Sequence, residues 1–243
     1  MPESKLMIIL ANSARPGGMI CVAGKELAPA EKGLLRIGSW IRVAHPEQPQ
    51  GALPLAATRY LKHGSAQLLD VARIPLTGHC GNADHPEDWW LNPRQPWEFV
   101  RKHPIQALPT LADNPVSLWH EGDEDKSVPA GYVRRMDKTA ATLYLIKAPK
   151  GWTFTYGKEW NKQEQKEKVY RRLAFEYAGV QHEFSVTDRL FTTRYQVFER
   201  AQSNPQTLTI PNPEAAYFCL SLTQELPGHG KQYKICATIF ERR

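Results

Sequence analysis

The sequence lacks the features that mark membrane-spanning and secreted chains. None of its apolar runs approaches the roughly 18 residues that a transmembrane helix requires. The N-terminal segment contains Glu3 and leads into only six apolar residues, 6–11, which is too short for a typical secretory signal. We therefore expect a cytoplasmic protein with no membrane partner.

Cysteine is scarce, with 4 residues among 243. They are scattered along the chain, at Cys21, Cys80, Cys219 and Cys236. Three of them lie in or beside apolar, strand-like runs, where a free cysteine behaves as a small hydrophobic residue. This usage suits a reducing compartment, although an even number of cysteines leaves a disulfide open.

Recognisable catalytic motifs are also missing. The chain has no Gly-x-Ser-x-Gly elbow, no His-Glu-x-x-His helix and no glycine-rich dinucleotide fingerprint after a strand. The neighbouring carboxylates Glu87 and Asp88, like Asp123 and Asp125, lie in polar segments where solvated carboxylates are common. We therefore predict a protein that is not an enzyme and needs no cofactor. A triad assembled from distant residues would leave no signal of this kind.

Short strand-like runs dominate the rest of the sequence. Apolar and β-branched residues at 6–11, 19–27 and 34–43 are bounded by Gly, Pro and Asn, which predicts an opening β-meander. Short helices are expected at 53–61 and, as a single turn, at 97–102. Further strand patterns occur at 67–76, 142–146, 152–156, 172–177, 181–186, 217–222 and 233–240. The fold class is therefore mainly β with a few short helices, and each half can form a small barrel or sandwich.

The middle of the chain has a different composition. Residues 104–129 are rich in proline and acidic side chains, and such a segment cannot bury enough apolar area to fold alone. We predict that residues 106–129 connect two domains, one at 1–105 and the other at 130–243. Leu118 and Trp119 are expected to dock on one of them.

The formal net charge of +6 is distributed unevenly. Residues 1–125 contain 12 Lys and Arg against 14 Asp and Glu, a net charge of −2, whereas residues 126–243 contain 19 against 11, a net charge of +8. A basic half favours a polyanionic partner, because neutralising phosphates releases counterions. Many basic faces are nevertheless only solvated surface.

The strongest candidate site mixes cations with aromatic residues in the second half. Single-strand binders need this mixture, because cations follow the phosphate backbone while aromatic faces stack bases. Trp152, Tyr156 and Trp160 are the leading contacts; in the alternative reading, alternate aromatics are core and the lysines a solvated face. The predicted nucleic-acid-binding residues are Lys147, Lys150, Trp152, Tyr156, Lys158, Trp160, Lys162, Lys166, Arg171 and Arg172, with Phe154, Lys168 and Tyr170 interleaved.

A weaker candidate for phosphate contact comprises Arg15 and Lys25. Arg15 lies in the glycine-containing turn 12–18, which could present backbone N–H groups to an anion. The segment is not a P-loop, since five residues separate Gly18 from Gly24 and Glu26 follows the lysine. An ordinary turn is the favoured interpretation.

A metal site is suggested only by residue type. His79, Cys80, Asp84 and His85 are close in sequence, but adjacent His and Cys lack the Cys-x-x-Cys spacing of structural zinc sites. We prefer a loop without metal, in which Trp89 and Trp90 act as anchors.

Several stretches together resemble a bacterial family built from tandem OB folds, the dual OB-containing domain. They are residues 8–13, 21–25, 38–43, 74–76, 79–80, 87–89, 184–188, 221–223 and 233–235. The resemblance covers nearly the whole chain and implies two small OB-like β-barrels in tandem. It also implies a role in prokaryotic conflict or antiviral defence loci, through nucleic-acid sensing.

The functional prediction is therefore non-enzymatic binding of single-stranded DNA or RNA by the second barrel. Two alternatives stay open at this point. One is a protein-interaction subunit of a defence or regulatory complex, with a protein partner from the same locus. The other is a small-nucleotide sensor, or an enzyme, that uses the cleft between the barrels.

Overall fold

The first half of the chain has six strands. Five of them form a closed barrel, and the sixth is added to it as an edge strand. The computed structural model describes residues 3–31, 34–62, 64–122, 126–136, 141–162, 164–225 and 228–242. The strands are β1 (Glu3–Ala14), β2 (Ile20–Pro29), β3 (Leu35–Ala44), β4 (Asp70–His79), β5 (Asp88–Leu91) and β6 (Glu98–Lys102). Their order is β1-β2-β3-β5-β4-β6, and β4 also pairs with β1, which closes a five-stranded ring. Only β3 and β5 run parallel, as in an OB barrel.

Strand β1 closes this barrel because its two ends pair with different neighbours. Residues 3–8 pair with β4 and residues 7–14 pair with β2, with a bulge between Ile9 and Ala11. Gly24 faces this strand so closely that a Cβ atom there would lie 1.9 Å from the carbonyl oxygen of Ile8. The strand crossing therefore requires glycine at this position.

The second half repeats the arrangement with one difference. Its strands are β7 (Ser127–Pro129), β8 (Leu143–Lys147), β9 (Thr153–Asn161), β10 (Lys166–Tyr177), β11 (Val180–Val186), β12 (Gln206–Thr207), β13 (Ala216–Leu222) and β14 (Lys231–Glu241). The order is β12-β9-β10-β11-β14-β13-β8, with β11 and β14 parallel. Two strands share the position that β1 has in the first barrel: β8 pairs with β13, and β9 pairs with β10. The first strand of this barrel is thus broken at residues 148–152.

Helices are short and lie outside the sheets. The α-helices are α1 (Leu108–Leu111), α2 (Tyr132–Arg135), α3 (Arg189–Arg194) and α4 (Val197–Arg200). Single 3-10 turns occupy Pro16–Gly18, Pro49–Gly51, Leu55–Thr58, Ile105–Ala107 and Pro213–Ala215. None of the helices in the described part of the chain has the length and apolar character needed to cross a membrane.

Each barrel has its own apolar core, and a third core lies between the barrels. The first barrel buries Met7, Ile9 and Trp97, and the second buries Phe154 and Phe184. The core between them combines side chains from both halves, including Ile8, Leu10, Trp40, Leu145, Cys219 and Phe240. The two barrels therefore pack against each other through a shared apolar core rather than as independent domains.

Asp113 fastens the connecting segment between the barrels. Its carboxylate accepts hydrogen bonds from Lys25 Nζ at 2.5 Å, from Trp40 Nε1 at 3.0 Å and from the backbone N–H of Leu145 at 2.8 Å. Its own N–H donates to the Leu145 carbonyl at 2.6 Å. Lys25 and Trp40 belong to the first barrel and Leu145 to the second, so one side chain joins both.

The structure confirms the predicted fold class of two OB-like barrels and the opening meander β1–β3. The helix expected at 53–61 is present as the 3-10 turn Leu55–Thr58. The helical turn predicted at 97–102 is wrong, because Glu98–Lys102 pairs with β4 as strand β6. Phe99 of this strand contacts the Tyr60 ring at a centroid distance of 5.7 Å. Tertiary pairing therefore decides the conformation of this short segment.

All four cysteines are free thiols. Leu118 and Trp119 are buried in the core of the second barrel, as expected for a connecting segment that docks. The carboxylates Asp123 and Asp125 lie outside the described residues. The exact limits of the two domains stay a prediction.

Replacing Asp113 with alanine is expected to destabilise the whole protein. The substitution leaves the buried Lys25 ammonium without its carboxylate, and because the Asp113 side chain is partly exposed the loss should cost up to about 3 kcal/mol. Urea unfolding followed by tryptophan fluorescence measures the change in the free energy of unfolding. Glu31→Ala, at an exposed position, is the matched control. An Asp113→Ala variant as stable as this control would contradict the role of Asp113.

Candidate nucleic-acid interface

Strands β9 and β10 extend past the second barrel as a two-stranded ribbon, defined here as residues 158–170. Its described residues from Glu159 to Lys168 are exposed, apart from the half-buried Asn161. From Glu159 to Lys168 neither face of the ribbon packs on the core, whereas Val169 at its base is half-buried against the core of the second barrel. Between residues 158 and 172 the sequence has six cations and three acids, a net charge of +3.

The lysines of the ribbon meet carboxylates only at its surface. Lys158 Nζ lies 3.6 Å from a Glu167 carboxylate oxygen, and Lys166 Nζ lies 2.7 Å from Glu164. The hydrogen bond from Lys166 is the main cause that lowers the pKa of Glu164. Exposed pairs of this kind contribute little to stability. The lysines can therefore exchange a carboxylate for a phosphate at small cost.

An aromatic ring lies on the outer face of the sheet at the base of the ribbon. Tyr170 pairs with Gly157 in the β9–β10 register, and a Cβ atom on Gly157 would lie 2.6 Å from Tyr170 Oη. Because Gly157 has no Cβ atom, the Tyr170 ring of β10 can lie across strand β9. The Arg172 guanidinium sits 4.5 Å from the ring centre and also pairs with Glu159 and Glu183, each at 3.3 Å.

The opposite face changes from core to solvent along β9. Phe154 and Tyr156 are buried, whereas Trp160, four residues after Tyr156, has 57% of its surface exposed. Arg171 shares this face through its pairing with Tyr156, and its guanidinium lies 4.9 Å from the Phe198 ring. Burial lowers the pKa of Arg171. One face of the ribbon thus offers the exposed Trp160 indole, and the other offers the Arg172 guanidinium seated on the Tyr170 ring.

Two of the three leading aromatic contacts need correction. Trp152 packs edge-on against Phe218 at a centroid distance of 5.1 Å, and its indole N–H donates to the Pro213 carbonyl at 3.0 Å. Tyr156 is only 5% exposed within the second core. Neither residue presents a free ring face on which a base could stack. Period-2 alternation turns these positions inward and Tyr170 outward, so strand parity was the signal that could have identified Tyr170.

The remaining predicted cations divide between two places. Lys158, Lys162, Lys166, Arg171 and Arg172 belong to the ribbon or its base. Lys147 and Lys150 instead line a cavity of about 290 Å³ at the break between β8 and β9. The predicted residues are therefore brought together as two surfaces rather than as one groove.

Arg15 and Lys25 serve structural contacts and do not form a phosphate loop. The Arg15 guanidinium donates to the backbone carbonyl and the side-chain oxygen of Gln50, at 2.9 and 3.0 Å. Lys25 is buried, and its ammonium is held by Asp113. The carboxylate comes from 88 residues further along the chain, so local sequence could not show this pairing.

The residues considered for metal binding point to separate partners. One ring nitrogen of His79 contacts the Pro86 carbonyl, and its Nδ1 accepts from the Gly81 N–H at 3.0 Å. Burial raises the pKa of the Cys80 thiol to about 12. In residues that the structure describes, no three His, Cys, Asp or Glu side chains are grouped to hold a metal ion.

Glu87 and Asp88 belong to a buried polar network between the barrels. Asp88 accepts two hydrogen bonds from Arg42, at 2.6 and 2.9 Å, across the parallel strands β3 and β5. Thr142 of the second half donates to Glu87 and contacts His85 Nδ1 at 3.1 Å. Burial lowers the pKa of His85. This arrangement gives the two carboxylates structural partners that the sequence pattern did not reveal.

Comparison with known proteins agrees with the architecture. The family model described as the dual OB-containing domain matches residues 5–239, which includes both barrels and the connection. No curated protein matches the chain. OB barrels commonly present strand faces and loops to oligonucleotides. On the extent of this match and the two barrel topologies, the chain belongs to the dual OB-containing domain family.

Proposed function

We propose that this protein binds single-stranded DNA or RNA, without catalysis, along the ribbon of its second barrel. The observation that carries the proposal is the Tyr170–Arg172 stack on the outer sheet face, beside a ribbon rich in lysine. OB-fold domains commonly bind nucleic acids, which supports the same partner.

The two kinds of side chain have separate roles in this proposal. Trp160 and the Arg172 guanidinium, which the Tyr170 ring holds in place, stack bases, and each stack contributes about 1–3 kcal/mol. Lys158, Lys162 and Lys166 neutralise phosphates, and the released counterions add a salt-dependent term. Both contributions tolerate any base, so we expect little sequence preference.

The biological setting is a separate step. A role in prokaryotic defence, together with a protein partner from the same locus, follows from the family resemblance alone and stays a prediction. Binding of single strands would suit such a role, since it supplies a means of sensing foreign nucleic acid.

Joint replacement of Lys158, Lys162 and Lys166 by alanine is expected to weaken binding and flatten its dependence on salt. Loss of three phosphate contacts should reduce the slope of log K against log salt by about 2, at roughly 0.7 per contact for single strands. Fluorescence anisotropy with a labelled oligonucleotide measures both quantities. The control removes three exposed cations of the first barrel, Arg36, Arg59 and Arg94. An equal effect of the control would show that only net charge matters.

Gly157→Ala is expected to weaken binding as much as Tyr170→Ala. The new methyl group occupies the place of the tyrosine ring and displaces it, while every cation is retained. Loss of one stacked base corresponds to about 1–3 kcal/mol of binding free energy. Tyr170→Phe keeps the ring and serves as the control. A Tyr170→Ala variant that binds the oligonucleotide with wild-type affinity would contradict a role for Tyr170 in the interface.

A further inference from the structure

We propose that the break in the first strand of the second barrel forms a separate site for a nucleoside monophosphate. The site, called here the break pocket, lies where residues 148–152 separate β8 from β9. It comprises the cavity of about 290 Å³ and a neighbouring cavity of about 380 Å³. This proposal does not depend on nucleic-acid binding by the ribbon.

The walls of the break pocket are fixed by the surrounding backbone. The Ala148 N–H donates to the Ala216 carbonyl at 3.0 Å, and the Trp152 indole donates to the Pro213 carbonyl at 3.0 Å. The Arg242 N–H donates to the Ala215 carbonyl at 3.2 Å. These bonds hold the loop 148–152, the turn 213–215 and the end of β14 together. The pocket is therefore formed before any ligand arrives, which reduces the entropy lost on binding.

The two cavities differ in chemistry. The first is lined by Ala148, Pro149, Pro213 and the small exposed part of Trp152, with Lys147, Lys150 and Glu214 at its border. The second is lined mainly by polar groups, among them Lys147, Asn212 and Arg242. Lys147 and Glu214 line both cavities, so the compartments adjoin. An apolar space next to a cationic one matches a molecule with a flat base at one end and a phosphate at the other.

The charges of the break pocket favour an anion. Lys147, Lys150 and Arg242 form no ion pair within the described residues, and Glu214 is also without one. The nearby Glu241 binds Tyr195 and Arg194, so it is already engaged. Three cations therefore face a single uncommitted carboxylate. We assign the phosphate to Lys147 and Arg242, and a ribose hydroxyl or base amino group to Glu214.

The first barrel supports the assignment by contrast. Its corresponding strand, β1, runs without interruption from Glu3 to Ala14. A strand break adds no stability by itself, because it removes ladder hydrogen bonds. The break at residues 148–152 opens a cavity beside Lys147, Lys150 and Arg242, and ligand binding there gives a physical reason for the break.

Isothermal titration calorimetry with AMP and CMP tests this site directly. We expect binding to the wild-type protein, and Lys147→Ala and Arg242→Ala should each weaken it about tenfold through loss of a charge-assisted contact. Adenosine and inorganic phosphate should each bind more weakly than AMP. The first-barrel variant Arg36→Ala, at an exposed position, is the control and should bind AMP as the wild type does. Failure of AMP and CMP to bind, or an equal loss in Arg36→Ala, would overturn the proposal whether or not the ribbon binds oligonucleotides.

A competition experiment distinguishes a free nucleotide from the phosphorylated end of a strand. Two short oligonucleotides of one sequence are compared, one with a 5′-phosphate and one with a 5′-hydroxyl. If the site binds strand ends, the 5′-phosphate oligonucleotide displaces AMP; if the site binds free nucleotides, AMP stays bound. Equal displacement of AMP by both oligonucleotides would contradict recognition through the phosphate. The competition is run on the Lys158, Lys162 and Lys166 triple variant, which separates the break pocket from the ribbon.

Discussion

The contact between Lys25 and Asp113 is the interaction on which the two-barrel arrangement depends. A lysine inside a barrel wall is tolerated only when a carboxylate compensates the loss of its hydration. That carboxylate comes from the connecting segment, which also binds the indole of Trp40 and the backbone of Leu145. The connection is thereby held against both barrels and covers the core between them. A connecting segment rich in proline and acidic residues therefore holds the two barrels together.

Much of the fold could be predicted from sequence, because OB strands are short, local and separated by turn residues. The meander β1–β3 and the hairpin β10–β11 follow directly from runs of apolar residues and the turn at Ala178 and Gly179. Strand β6 could not be predicted in this way, since its conformation depends on pairing with β4. The division of one strand into β8 and β9 was equally invisible. Each piece has an ordinary strand pattern, and only their partners β13 and β10 show that they share a position.

The candidate site was predictable in composition but not in detail. Cations and aromatic residues of the second half do gather on the ribbon, although aromatic side chains alternate between the core and the surface. Trp152 and Tyr156 pack inward, while Tyr170 lies outward across Gly157. The glycine carries no functional group, so composition gives no reason to select it. Lys25 illustrates the same limit, because the carboxylate that engages it is remote in sequence.

The ribbon combines exposed lysines with an arginine that a tyrosine ring holds in place. Its ion pairs are exposed and weak, so its lysines can follow a flexible phosphate backbone. Tyr170 is held between the strand beneath it and the Arg172 guanidinium above it. Under the proposed function, we expect such a surface to bind a strand with unpaired bases more tightly than a duplex, whose bases are already stacked. The most direct test is an anisotropy titration of the wild-type protein with single-stranded and duplex oligonucleotides of one sequence at several salt concentrations. Tighter, salt-dependent binding of the single strand is the predicted result; no binding at low salt, or a preference for duplex, would contradict the account.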